Sequence, residues 1–432
     1  MATLEFIPYT PERPQLRERS VHWVLEQHFP PIESLPVIFW SSGEFWVEAN
    51  LWALELTKTS CEIKTVISIM QGLLTYAKWL DSEDIAWWHF PQRSYERCLN
   101  QYRGALIDAR NRGELAPSTV SHRMSVAIRF YRWVHSKSLL TTENPMWQDR
   151  TAVIKYQDFT GFSRTIQVAT TDLAIPNRKP AGVLQLEGGL MPVTLAQRKD
   201  ILSYANKHSP KEIVLMLRLG FATGMRLGSI CDLKEETIEN AVPASISGFY
   251  HLSIGPNALP KVKTKMGISG RVLIPCQVLD EVKRYLWSTR RLLRKKEAGV
   301  EHTALVFLTG GGRPYEDAFG GHSAINTEMS RLRKLAEKEG ITALRNFKFH
   351  QSRATFATML MMAALEAFPE VSTAIKFVRD ACLHKNDATT LEYLKFVEDT
   401  KAMKEASEKF TAFFMGIADM DEYENDECIA QL

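Results

Sequence analysis

ATGMRLG, at residues 222–228, is a Thr-Gly turn between two apolar helical patterns, and it places Arg226 where the second helix begins. Three further stretches follow it: KVKTKMG at 261–267, HQSR at 350–353 and HKNDATTLEY at 384–393. Each stretch alone has an ordinary explanation, since an HxxR pair is usually surface charge and a tyrosine in an amphipathic helix is usually core. Their order and spacing therefore carry the information.

Together the four stretches resemble the catalytic signature of the tyrosine recombinases, the phage-integrase family. That signature runs through an arginine after a Thr-Gly turn, a hairpin lysine, HxxR, a second histidine and, after a TTxx run, a tyrosine. The residues that match it are, in chain order, Arg226, Lys265, His350, Arg353, His384 and Tyr393. Lys263 lies in the same predicted hairpin and is an alternative to Lys265 as the general acid.

Two positions depart from the family pattern. Ser229 stands where the family usually has an acidic residue, so the support that orients Arg226 must come from elsewhere. Leu383 replaces the glycine that usually precedes the second histidine. This second departure weakens the assignment of His384 as a phosphate ligand.

The resemblance implies that Tyr393 attacks a DNA phosphate and forms a 3′-phosphotyrosyl link, which a DNA 5′-hydroxyl later reverses. Elementary chemistry agrees, because negative charge accumulates on the phosphate oxygens in the transition state and two arginines can hold them. His350 is suited to act as a general base or donor, and a hairpin lysine to protonate the leaving oxygen. The sequence has neither a glycine-rich phosphate loop nor a carboxylate cluster with metal-ligand spacing, so we expect no cofactor and no metal.

The first half of the chain reads as helices. Residues 65–80 place apolar side chains at three- and four-residue steps, and a second helix is predicted with Ser118 or Thr119 as its N-cap. The pattern TxxxRxxxxxxFYRW at 119–133 resembles the core DNA-binding domain of the same family. The polar face of this second helix is either a solvated surface or a face laid along a phosphate backbone, and its candidate DNA contacts are His122, Arg123, Arg129 and Arg132.

The predicted fold is mainly α with a small antiparallel β-sheet. A helical core DNA-binding domain is predicted at 41–150, and an α+β tyrosine-recombinase catalytic domain at 193–415, with hairpin strands at 248–254 and 270–274. Residues 151–192, rich in proline and glycine, read as a linker with one short strand around 165–169. Residues 1–40 form an N-terminal extension, either a DNA-contacting arm or a packed segment, whose prolines oppose a helix toward its end. Residues 416–432 form an acidic tail.

Composition narrows the class of protein. Hydrophobic residues make up 45% and charged residues 24%, and no apolar run approaches the roughly 20 residues that a membrane span needs. The six cysteines form no CxxC pair, which fits a reducing compartment. The net charge is +3, and setting aside the six acidic residues of the tail leaves the remaining chain at +9. We expect a soluble cytoplasmic protein, nucleoid-associated if bacterial, that binds double-stranded DNA.

A helix predicted at 395–415 follows Tyr393 and has an apolar face formed by Phe396, Val397, Met403, Ala406, Phe410, Phe413 and Phe414. This helix either closes the core of its own domain or, as in the recombinases that the chain resembles, docks on a neighbouring protomer. The second alternative predicts a homotetramer on paired DNA sites and weak self-association in free solution. Accessory DNA-bending or element-encoded proteins are further candidate partners.

The predicted function is that of a site-specific DNA recombinase or integrase, serving a mobile element. Two alternatives remain open. One is a type IB topoisomerase-like enzyme, which reseals the cut strand to its own partner. The other is a catalytically impaired DNA-binding protein derived from the family. The sequence does not identify the DNA target, nor does it distinguish integration from excision, resolution or transposition.

Overall fold

The structure, a computed structural model, describes residues 1–17, 20–26, 29–59, 61–157, 163–177, 186, 189–317 and 320–414. The chain divides into two compact units, Met1–Val183 and Leu184–Leu432, and the boundary falls inside the segment predicted as a linker. Helices predominate in the described part and the strands form small antiparallel sheets, so the predicted fold class is confirmed. Among the described residues, no helix combines the length and apolar character needed to cross a bilayer.

The first unit opens with two antiparallel ribbons. Their strands are β1 (Thr3–Tyr9), β2 (Glu12–Arg17), β3 (Ser20–Leu25) and β4 (Ile32–Phe39). β1 pairs with β4 and β2 with β3, and strands with a single partner tolerate proline because the missing N–H can face away from the ladder. Leu35, Val37 and Ile38 on β4 are buried in the core of the unit. This part of the N-terminal extension is therefore a packed segment.

Among the described residues of the first unit, four α-helices complete the core. They are α1 (Val47–Lys58), α2 (Ile63–Glu83), α3 (Cys98–Asn111) and α4 (Pro117–Ser136). The apolar steps predicted for 65–80 lie on α2, whose buried face packs against α4. The predicted N-cap of α4 was wrong: the helix begins at Pro117 with Ala116 as N-cap, since proline's fixed φ suits the first helical position.

The segment predicted as a linker contains a β-ribbon. β5 (Asp149–Gln157) and β6 (Ser163–Thr171) pair in antiparallel register from Asp149 opposite Thr171 to Gln157 opposite Ser163. The strand predicted around 165–169 is confirmed as part of β6, whereas its partner β5 was not predicted. Both strands are rich in threonine, valine and isoleucine, whose preference for extended backbone outweighs the turn residues that flank them. Much of the predicted linker after this ribbon, at 178–185 and 187–188, lies outside the described residues.

The second unit starts with helices and then forms a three-stranded sheet. Its first elements are α5 (Leu195–His208), α6 (Lys211–Thr223), α7 (Leu227–Cys231), α8 (Glu235–Glu239), β7 (Val242–Pro243), β8 (Phe249–Ile254) and β9 (Gly270–Pro275). A capping box at Thr194 and Gln197 sets the start of α5. The sheet is antiparallel in the order β7-β8-β9, and its two longer strands match the predicted hairpin to within one residue at each end.

In the described part of the chain, six α-helices follow the sheet. They are α9 (Cys276–Leu286), α10 (Thr289–Glu297), α11 (Ser323–Lys338), α12 (Gln351–Ala367), α13 (Val371–Cys382) and α14 (Asp387–Phe414). α12 packs on α6, α13 and α14. The helix predicted to start after Tyr393 begins earlier, at Asp387, so Tyr393 lies within α14. Met415 and the acidic tail lie outside the described residues, as do the side chains that carry most of the predicted apolar face.

Candidate functional site

The turn between α6 and α7 positions the first signature arginine. Gly224 ends α6 with φ of 65°, and a Cβ at this position would lie 2.3 Å from a ring carbon of Phe356. Glycine is therefore required both by the left-handed backbone and by the close approach of α12. Arg226 then serves as the N-cap residue of α7, and its Nη1 donates to the carbonyl oxygen of Leu383 at 3.4 Å.

The second signature arginine, Arg353 in the first turn of α12, is 2% exposed. Its Nη1 donates to the carbonyl of Gly224 at 2.6 Å and its Nη2 to the carbonyl of Cys382 at 2.8 Å. The carbonyls at the C-terminal end of a helix carry partial negative charge and lack partners within the helix. Arg353 therefore joins the α6–α7 turn to the end of α13.

Both arginines thus bind the main chain at the end of α13, one at Cys382 and the other at Leu383. A small cavity lies between them, and Ser229 and Thr264 also line it. Leu383 has φ of 51°, a left-handed conformation that costs a non-glycine residue about 1–2 kcal/mol. Its carbonyl provides support for Arg226, which the sequence predicted must come from somewhere other than position 229.

The β8–β9 connection carries the two candidate lysines in different surroundings. Lys263 has its Nζ 3.6 Å from a carboxylate oxygen of Glu316, and its backbone N–H donates to Asp232 at 2.7 Å. Lys265 is exposed, and within the described part of the chain it has no hydrogen-bond or ion-pair partner. Thr264, between the two lysines, lines the cavity of the two arginines, so the hairpin approaches that cavity.

The two signature histidines have different surroundings. His350 is the N-cap residue of α12 and is half-buried. His384 is 5% exposed, and its Nδ1 lies 2.9 Å from Oγ1 of Thr390. Its ring stacks on that of Tyr393 with centroids 5.8 Å apart and planes 11° from parallel.

Tyr393 has no solvent exposure in this structure. It belongs to a buried cluster formed by α12, α13 and α14, with Ala354, Ala357, Met361 and Ala374 among its members. The predicted nucleophile is therefore packed as a core residue, whereas Arg226 is half-buried. The structure brings the two arginines together around one cavity and keeps the phenol in a neighbouring core.

Two other tyrosines of the second unit, Tyr285 and Tyr315, are further candidate nucleophiles. Tyr285 donates to the buried carboxylate of Glu212 at 2.9 Å. Burial, together with the negative charge of Glu212, raises the pKa of both phenols. A higher pKa keeps a phenol protonated, so both side chains are poorly suited to nucleophilic attack.

In the first unit, the predicted DNA-contacting face of α4 lies largely at the surface. His122, Arg129 and Arg132 are exposed, and Arg123 is half-buried. Arg132 forms an ion pair with Asp149 at 3.7 Å. Among the described residues, no group of three or more histidine, cysteine, aspartate or glutamate side chains has the arrangement of a metal site.

Sequence reasoning missed the main-chain carbonyls of Gly224 and Cys382, which hold Arg353. No pattern of residue types marks a carbonyl as a partner, because every residue has one. The available signal was Leu383, which directly follows Cys382. A leucine where the family has glycine indicates an unusual backbone at that point of the chain.

Comparison with protein-family models and with curated proteins gives no match. Comparison with solved structures finds similarity to the Tn1549 transposon integrase in complex with transposon right end DNA, with 16% identity and a TM-score of 0.46 over 80% of this chain and 94% of that chain. A lambda integrase dimer bound to a COC′ core site is 14% identical, with a TM-score of 0.46 over the same shares of the two chains. A lambda integrase tetramer bound to a Holliday junction is 14% identical, with a TM-score of 0.44 over 80% of this chain and 76% of that chain.

Proposed function

We propose that this chain is a tyrosine recombinase that cuts and rejoins DNA through a 3′-phosphotyrosyl intermediate, in the service of a mobile element. One observation carries the proposal: Arg226 and Arg353, far apart in sequence and identified from a motif, meet at one cavity at the end of α13. The other signature residues lie on the elements around it. Such convergence is expected of a phosphate-binding site, where two guanidinium groups approach one anion from different helices.

The arginines have distinct tasks in this proposal. Arg353 is almost fully buried and holds the site together through two carbonyls, so it presents a fixed positive charge. Arg226 is half-buried at the same cavity, where its guanidinium donates to the carbonyl of Leu383, and it is the group proposed to contact a phosphate oxygen. Both charges stabilise the pentacoordinate transition state, in which the negative charge on the non-bridging oxygens is greatest.

Lys265 is the proposed general acid. The phenol oxygen of Tyr393 bonds to phosphorus, the bond from phosphorus to O5′ breaks, and the lysine donates a proton to the departing O5′. The proton of Tyr393 passes to a base, for which His350 is the candidate. Exposure and the absence of a partner among the described residues favour Lys265, whereas Lys263 is held near Glu316.

Tyr393 must leave its buried cluster before it can react. A phenol stacked on His384 and enclosed by α12 and α13 cannot contact a DNA phosphate from outside. We infer that the described arrangement is a resting state and that a shift of α14 delivers the nucleophile. His384, next to the cavity through Leu383, then becomes available as a phosphate ligand.

The proposed assembly binds double-stranded DNA through the exposed face of α4, with His122, Arg123, Arg129 and Arg132 as contacts to the backbone. Four protomers assemble on paired sites, through the segment that follows Tyr393. A catalytically impaired DNA-binding protein is a second candidate function, and the burial of Tyr393 is the observation that favours it.

Covalent trapping distinguishes the two functions. Nicked duplexes that cover the DNA flanking the encoding gene let the short fragment that carries the new 5′-hydroxyl diffuse away, so each cleavage leaves protein attached to DNA on a denaturing gel. Wild type is expected to form this adduct, and Tyr393→Phe is expected to form none while binding DNA as before, because only the nucleophilic oxygen is removed. If wild type binds these duplexes without forming an adduct, the protein is a catalytically impaired DNA-binding protein. An adduct of normal yield from Tyr393→Phe would move the nucleophile to another residue.

A further inference from the structure

The first unit contains a cavity of about 240 Å³ between α4 and the end of β6. This volume is several times the roughly 30 Å³ that one water molecule takes in the liquid. The polar residues that line it are Ser121, Ser125, Arg129, Arg132, Thr170 and Thr171. The four helix residues follow one another at steps of three or four, which puts them along one face of α4.

Thr171 is the most informative of these residues. It is 4% exposed, and its Oγ1 has no hydrogen-bond partner among the described residues. A buried hydroxyl without a partner destabilises a folded protein, because the group has lost its bonds to water. A ligand oxygen in the cavity would satisfy it.

The charge at the cavity is positive but partly compensated. Arg132 pairs with Asp149, which stands opposite Thr171 in the register of the β5–β6 ribbon. Nη2 of Arg132 lies 3.7 Å from Oδ1 of Asp149, and the aspartate side chain is 78% exposed. Water therefore screens this ion pair, and an anionic ligand can take the place of the carboxylate. Arg129, the second guanidinium at the cavity, is exposed.

We propose that this cavity binds one phosphate group of the DNA backbone. The two arginines supply charge, and the hydroxyls of Thr171 and its neighbours supply short hydrogen bonds to the phosphate oxygens. The inference rests on the proposed DNA-binding function and deepens it. The ribbon is then part of the DNA-binding surface, and it fixes the position of the first unit along the duplex without reading sequence.

The decisive variant is Thr171→Val, which removes the hydroxyl and preserves the shape of the side chain. Binding to duplex DNA, measured by fluorescence anisotropy, is expected to weaken about 10-fold or more, as for the loss of a hydrogen bond to a charged group. The melting temperature is expected to stay the same or rise, since no internal bond is lost. Thr171→Ser keeps the hydroxyl and should bind like wild type. Thr165→Val, on the same strand but exposed, is the matched control.

The Asp149→Asn variant tests whether Asp149 and a DNA phosphate compete for Arg132. Removing the carboxylate charge is expected to tighten duplex binding about two- to fivefold, the range for losing one exposed ion pair. Weaker binding by this variant would contradict the proposal, as would normal binding by Thr171→Val. Loss of binding by Thr171→Val together with a fall in its melting temperature would show a structural role for the hydroxyl and would also overturn the site.

A test with inorganic phosphate distinguishes two possible ligands, a phosphate of the DNA backbone and a free phosphate compound. Phosphate is expected to raise the melting temperature of wild type and of Thr165→Val, but not that of Thr171→Val. If phosphate behaves in this way while Thr171→Val binds duplex normally, the site takes a free phosphate compound and its DNA role is refuted. The proposed cleavage activity is read separately, by the covalent adduct. If wild type never forms an adduct but its duplex binding still depends on Thr171, the proposed cleavage activity is refuted and the proposed phosphate site is supported.

Discussion

Loosening the cluster around Tyr393 is expected to accelerate DNA cleavage. A tyrosine side chain buries about 150–250 Å². At about 25 cal/mol per Å², removing it from the cluster costs about 4–6 kcal/mol, so roughly one molecule in 10³ to 10⁴ presents the phenol at any moment. Met361 lies in the same cluster with no exposure. If Met361→Ala lowers the cost of releasing Tyr393 by about 1 kcal/mol, the exposed population and the cleavage rate rise about fivefold.

The rate is measured as adduct formation in a single turnover on a nicked duplex, with protein in excess. Met329→Ala is the matched control, because Met329 is buried on α11 in a different cluster and its truncation also leaves a cavity. Circular dichroism establishes that both variants are folded at the assay temperature. A folded Met361→Ala protein that cleaves no faster than the Met329→Ala protein would refute the idea that burial of the phenol limits the reaction.

Three further predictions concern the site and the assembly. Arg226→Ala should slow cleavage at least about 100-fold with little loss of DNA binding; Arg353→Ala should slow it as much and also lower the melting temperature, because two carbonyls lose their donor. Lys265→Ala should cleave slowly on ordinary DNA and recover on a 5′-phosphorothiolate substrate, whose leaving group needs little protonation; the same rescue seen only for Lys263→Ala would reassign the acid. Deleting residues 401–432 should abolish recombination while sparing binding to one site, with oligomeric state followed by light scattering; complete strand exchange would show that assembly does not need the segment, and a cooperative loss of folding would place it in its own domain's core.

Local pattern was sufficient to predict several elements. The apolar steps at 65–80 predicted α2, and the strands of the lysine hairpin were predicted to within one residue at each end. These predictions succeeded because the period of apolar residues reflects a single element and the face that it buries. The same reasoning missed β5 and the full length of β6, where turn residues nearby outweighed a run of β-branched residues in the interpretation.

The catalytic signature was also visible without the structure. The order of Arg226, the hairpin lysines, His350, Arg353, His384 and Tyr393 is a property of the sequence. Two of these residues, Arg226 and Arg353, line one cavity together with Thr264, which the sequence did not single out. The sequence left Lys263 open as an alternative to Lys265, and the structure adds an observation that favours Lys265. It depends on Glu316, a residue distant in sequence whose approach to Lys263 no local pattern encodes.

The sequence by itself determined the residue types, their order and the elements that carry them, because propensity and periodicity act over a few neighbouring residues. Only the tertiary structure decided that Arg353 is buried against the end of α13 and that Tyr393 is enclosed between helices. Burial of this kind results from the packing of segments that meet only when the chain folds. A tyrosine on an amphipathic helix has the same sequence signature whether its hydroxyl meets DNA or a hydrophobic core, and the free energy of packing selects between the two.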